Sequence, residues 1–115
     1  MRELKRSECA VLPLVLKGKW YSMIASGEKK EEYRESKPYW EKRIRRWRSA
    51  QTLGREEIDK NKLLVVGFSL GYRAMDMFFL AHTIEVREDS AHPEWGEPET
   101  LHYSIRLGDR IELID

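Results

Sequence analysis

The chain has 115 residues, enough to bury one hydrophobic core and too few for two. An apolar fraction of 41% is that of a globular protein rather than a disordered one, and a net charge of +1 argues against a non-specific coat on duplex DNA. The longest apolar run, AVLPLVL (residues 10–16), is too short to cross a bilayer, so no membrane association is expected.

The first residues, MRELKRSE, are mostly charged and lack the apolar core of a secretory signal. Cys9 is the single cysteine, so no internal disulfide can form and a reducing, cytoplasmic setting is expected. VLPLVL (11–16) reads as a short strand, with Pro13 placing it at a sheet edge or a strand start. In the following KGKWYSMIASG, Trp20, Met23, Ile24 and the Gly27 position recur at helical spacing. Gly27 then falls just past the helix end, where a positive φ is easily adopted.

KKEEYRE (29–35) breaks that period. As a strand it puts Lys30, Glu32 and Arg34 on one face and Glu31, Tyr33 and Glu35 on the other, and neither is a core face. SKPYWEKRIRRWRSA (36–50) predicts a helix capped by Ser36, with Pro38 in its first turn. Trp40, Ile44 and Trp47 form its apolar stripe, and Lys42, Arg45 and Arg46 point away. A polar loop is expected over residues 49–61. Four β-rich runs then follow, at 62–70, 75–86, 101–107 and 110–114, separated by LGYR, EDSAHPEWGEPE and GD. Two helices and five to six mostly antiparallel strands predict an α+β domain, a small β-barrel with two flanking helices.

Charge is unevenly spread. Lys and Arg dominate residues 28–48, whereas Asp and Glu dominate 84–115, so a basic face for an anionic partner and mutual neutralisation of the two parts are both open. His82, His92, His102 and Cys9 match no tight metal-ligand spacing, and His82 sits in an apolar strand, so no metal is expected. Gly-rich phosphate loops and C-x-x-C are absent, and no cofactor is expected.

GEKKEEYR (27–34) matches G-x-K-x-x-E-x-R, the signature of the ASCH family, whose domains resemble the PUA RNA-binding barrel. YRESKPYWEKR (33–43), GFSLGY (67–72), PEWG (93–96) and YSIRLGDRI (103–111) resemble segments of short stand-alone ASCH proteins in the same order. The resemblance implies a single ASCH domain over residues 1–115, with a PUA-like barrel and a cleft for RNA or nucleotide-like ligands. By position Lys29, Glu32 and Arg34 inherit the floor of that cleft, and Gly27 inherits the turn that sets Lys29 at its mouth.

The residue types suit such a ligand. An ammonium meets phosphate or a carbonyl oxygen, a guanidinium forks or stacks, and a carboxylate accepts from the N–H groups of a base edge. Tyr72 and Trp95, in turn-rich segments, are expected as stacking walls, with Lys30, Arg43 and Arg73 as further nucleic-acid contacts. A Glu32–Arg34 ion pair that merely fixes the strand is the structural counterpart of this reading.

Small ASCH proteins that hydrolyse acetylated cytidine carry G-x-K-T-x-T-x-R at this turn. Lys30 and Glu32 occupy the two Thr positions here, which removes the expected hydroxyl nucleophile. Ser69 and Leu70 likewise replace an Arg-Asn pair common before Gly-Tyr in the family. The first reading is therefore a binder of RNA, single-stranded nucleic acid or a modified nucleoside. The second is a small hydrolase of an acylated nucleoside or an RNA phosphodiester, with Glu32 activating water and Lys29 steadying the oxyanion. A regulatory interaction domain is the third.

Overall fold

The computed structural model describes residues 1–51 and 62–115. Most of the polar loop expected over 49–61 lies outside the described residues. The fold is α+β, and the described residues form six strands in one mixed sheet and two helices. In chain order these are β1 (Arg2–Lys5), β2 (Cys9–Leu16), α1 (Gly18–Ser26), β3 (Glu31–Glu35), α2 (Pro38–Ser49), β4 (Leu63–Leu70), β5 (Met77–Arg87) and β6 (His102–Ile114).

The sheet runs β1-β6-β5-β4-β2, with β3 also paired to β6. Three of its pairings are antiparallel, and β1–β6 and β2–β4 are parallel. On one side β6 pairs along β5, and on the other it carries β3 at residues 102–106 and β1 at 111–114. Among the described residues, hydrogen bonding does not close the sheet. Its end strands β1 and β2 are nonetheless joined by one 3-10 turn, Arg6–Glu8, which curls the sheet toward a barrel.

Three features differ from the sequence expectation. Charged RELK forms β1, because its Leu4 reaches a small cluster with Cys9, Val65 and Ile111. The two expected strands at 101–107 and 110–114 are one, since GD does not turn the chain. The register slips instead between Phe79 and Thr83, and Gly108 admits the Leu80 carbonyl, 3.2 Å from where a Cβ would stand. Ser36 does not cap α2. Lys37 holds that position, and the Ser36 hydroxyl donates to Glu41 Oε1 (2.8 Å).

The main core lies between the helices and the sheet. Leu12, Leu14 and Leu16 of β2, Val66 and Phe68 of β4 and Ile105 of β6 meet Ile24 of α1 and Ile44 and Trp47 of α2. Burying side chains such as Ile24 or Ile44 contributes about 2 kcal/mol each. Neighbouring residues of β4 serve opposite faces, Val66 the main core and Val65 the small cluster, which explains its unbroken apolar run. Pro13 sits on the edge strand β2, where its missing N–H breaks no ladder. Trp47 of α2 donates its indole N–H to the Ala10 carbonyl (2.9 Å), fixing the helix along that strand. No helix among the described residues is long and apolar enough to cross a membrane.

Candidate functional site

Gly27 ends α1 with φ 85°, and two hydrogen bonds lock the turn: Gly27 N–H to Ile24 O (3.1 Å) and Lys29 N–H to Met23 O (3.0 Å). The chain folds back so that the Lys29 side chain runs inward, leaving the residue 2% exposed. Its ammonium donates to the Trp95 carbonyl (2.7 Å), lies 3.2 Å from Glu32 Oε1, and sits over the Tyr33 and Trp20 rings at 4.4 and 5.1 Å. Burial pushes its pKa below the ordinary lysine value, and the Glu32 charge works against that shift.

Glu32 is held from both sides. Lys29 meets its Oε1, and Arg34 Nη1 donates to its Oε2 at 2.6 Å. The same guanidinium donates to the carbonyls of Tyr33 (2.6 Å) and Val15 (3.1 Å) and lies 5.1 Å from the Trp40 ring. Above this pair opens a cleft of about 720 Å³, within the range of small-molecule sites. Glu32 and Arg34 form its polar floor, with Trp20, Tyr39, Trp40 and Trp95 around them. Each carboxylate oxygen has two lone pairs, so each keeps one for a ligand donor.

The residue before Glu32 serves a different purpose. Glu31 Oε1 accepts from Arg87 Nη2 (2.6 Å) and the Tyr33 hydroxyl (2.9 Å), and Arg106 lies 3.6 Å from Oε2. Arg87 also donates to the Ser104 hydroxyl, and its Nε stands 2.9 Å from Glu97 Oε2 without the geometry of a hydrogen bond. Glu97 Oε1 accepts the backbone N–H groups of Ala91 and His92, both at 2.9 Å, and its Oε2 accepts from His102 Nε2 (2.7 Å). His102 Nδ1 meets the Thr100 carbonyl at 2.6 Å. Burial alone would raise the pKa of both carboxyls. Arg87 and Tyr33 outweigh it at Glu31, and His102, the backbone N–H groups and Arg87 outweigh it at Glu97, so both are held below the ordinary glutamate value.

This network fixes the segment that walls the cleft. Glu97 ties down residues 91 and 92, His92 stacks on Trp95 with ring centroids 4.1 Å apart, and Lys29 holds the Trp95 carbonyl. Gly96, with φ 80°, presses its backbone against Trp20, whose ring would stand 2.8 Å from any added Cβ. No family model, curated protein or solved structure matches the chain.

Of the residues expected at the site, Glu32, Arg34 and Trp95 line one cleft. Gly27 sets the turn beneath it, but Lys29 does not reach the mouth. It is sealed behind Glu32, because the turn directs its side chain inward between two aromatic rings. An oxyanion role for Lys29 would need that burial undone. Tyr72 is fully exposed beyond Gly71 and does not line the cleft, since the turn between β4 and β5 carries it outward. Lys30 and Arg73 are exposed and also lie off the cleft. Arg43 is exposed on α2, its guanidinium 3.5 Å from the Tyr39 ring centroid.

The ion pair between Glu32 and Arg34 is present, and both residues line the cleft. Sequence reasoning missed Trp20 and Pro98 as lining residues and the whole Arg87–Glu97–His102 network. The face of Glu31 and Tyr33 was not expected to be a core face, yet both residues are buried, because the Glu31 carboxylate pairs with Arg87 and accepts from the Tyr33 hydroxyl. Among the described residues, no group of three His, Cys, Asp or Glu is placed to hold a metal ion.

Proposed function

We propose that the chain is an ASCH-type domain that binds a nucleobase-bearing ligand, namely RNA, single-stranded nucleic acid or a modified nucleoside, in the Glu32–Arg34 cleft. The observation that carries this reading is the Glu32 carboxylate, clamped by two cations on the floor of a cleft walled by aromatic rings. A fixed carboxylate accepts from the amino or ring N–H groups of a base, and flanking rings offer stacking surfaces worth about 1–3 kcal/mol per base. Binding is favoured over hydrolysis because Lys29, the ammonium that the hydrolytic reading would use to steady an oxyanion, is occupied behind Glu32.

The test is a panel of nucleosides, including an N4-acylated cytidine, and short RNAs, followed for both affinity and product. The expected result is binding without turnover, with Glu32→Gln weakening it about tenfold, or about 1.4 kcal/mol. Product that vanishes in Glu32→Gln would make the chain a hydrolase instead. Affinity indifferent to both Glu32→Gln and Arg34→Ala would remove the cleft from the account.

A further inference from the structure

The cleft does not end at its aromatic rim. Pro13, Tyr39 and Trp40 also line a second groove of about 450 Å³, which runs between α2 and the edge strand β2. Arg43 and Arg46 flank that groove, and with Lys42 they enclose a further hollow of about 240 Å³. All three cations are exposed. The three spaces share lining residues in sequence, forming one track from a polar floor, past two aromatic rings, to a cluster of positive charge. From Tyr39 to Ala50 the helix covers about 16 Å at 1.5 Å per residue.

We propose that this track seats the sugar–phosphate backbone of a single-stranded nucleic acid whose base occupies the Glu32–Arg34 cleft, so that the ligand is an oligonucleotide rather than a free nucleoside. The inference rests on the cleft reading above. Apolar flooring with cations along one wall suits sugars and phosphates side by side, and Arg43, stacked on Tyr39, stands where the first phosphate leaves the cleft. At about 3.4 Å per stacked nucleotide, the track accommodates at most about five.

An acidic peptide would satisfy the same charges, but β2 is ill suited to take an added strand. Pro13 offers no N–H, and Trp47 and Arg34 already occupy the carbonyls of Ala10 and Val15.

The experiment compares homo-oligoribonucleotides of each base at one, three, five and eight nucleotides, with oligoglutamate as the peptide arm. Affinity is expected to rise with length and level off near five nucleotides. In Arg43→Ala/Arg46→Ala, the gain from one to five nucleotides should shrink about tenfold, and the salt dependence of pentamer binding should flatten by about 1.4 in log–log slope for two lost phosphate contacts. Arg45→Ala/Arg48→Ala removes the same charge from a different groove and should leave most of that gain intact.

Mononucleotide binding with no length dependence overturns this inference and spares the cleft. Equal losses in the two double variants overturn it in favour of diffuse attraction, and tighter binding of oligoglutamate overturns it in favour of a peptide. If no nucleotide of any length binds, the cleft reading and this one fall together.

Discussion

Glu31 and Glu32 are neighbours in the chain, both are 5% exposed, and each is paired with an arginine, yet they serve different ends. Glu31 faces Arg87, Tyr33 and the partly exposed Arg106 in a network of protein groups, whereas Glu32 faces Lys29 and Arg34 on the floor of an open cleft. Strand geometry sends consecutive side chains to opposite sides, so one short strand supplies both a structural clamp and the floor of a cleft. A buried carboxylate is thus no sign of function in itself. What separates the two is whether the space beyond the charge is filled by protein.

Removing Arg87 should give the largest effect. Arg87→Ala leaves the Glu31 and Glu97 carboxylates facing each other's side of the network without their shared cation. A loss of about 3–5 kcal/mol is expected in urea unfolding. Glu32→Gln should lose clearly less stability while losing more affinity. If the two variants behave alike in both measurements, the division between clamp and floor is not real.

Gly96→Ala tests how the clamp reaches the cleft. Its positive φ and the nearby Trp20 ring predict a loss of about 2 kcal/mol, accompanied by a change in tryptophan fluorescence. Unchanged emission would mean that Trp20 does not bear on this wall.

Acid sharpens the same contrast. The folded chain holds Glu31 and Glu97 below the ordinary value of 4.5, so the unfolded chain binds more protons as pH falls. Their stabilising effect is present above pH about 4.5 and is lost as pH drops through the lowered values. Urea midpoints between pH 6 and 2 should therefore fall steeply in the wild-type chain and less steeply in Arg87→Ala.

The smallest effect is expected from Tyr72→Ala. With its ring in solvent, stability should move by no more than about 0.5 kcal/mol and nucleotide affinity should not change. A measurable loss of affinity would extend the binding surface to the turn between β4 and β5.

Local chemistry made much of this legible in the sequence. Gly27 at a helix end, Pro13 on an edge strand and the Trp40–Ile44–Trp47 stripe each follow from one residue type in one spacing, and the structure places them accordingly. Long-range geometry was harder to read. β1 looks like a solvated charged segment because its apolar content is little more than Leu4, and its partner lies at residues 111–114. Arg87 and Glu97 sit in a strand end and a turn, where no periodicity marks burial, and their role emerges only when β6 brings His102 and Ser104 beside them. The inward course of Lys29 depends on a turn whose hydrogen bonds reach back to Met23, which the spacing G-x-K does not encode.

The Glu97 carboxylate, by gripping two consecutive backbone amides, has a kinetic corollary. Under the proposed function, a wall already assembled in the empty protein spares an arriving ligand the entropy of ordering a loop. Capture should then approximate a rigid encounter, with bound and free backbones superimposing closely and selectivity expressed through residence time rather than through closure.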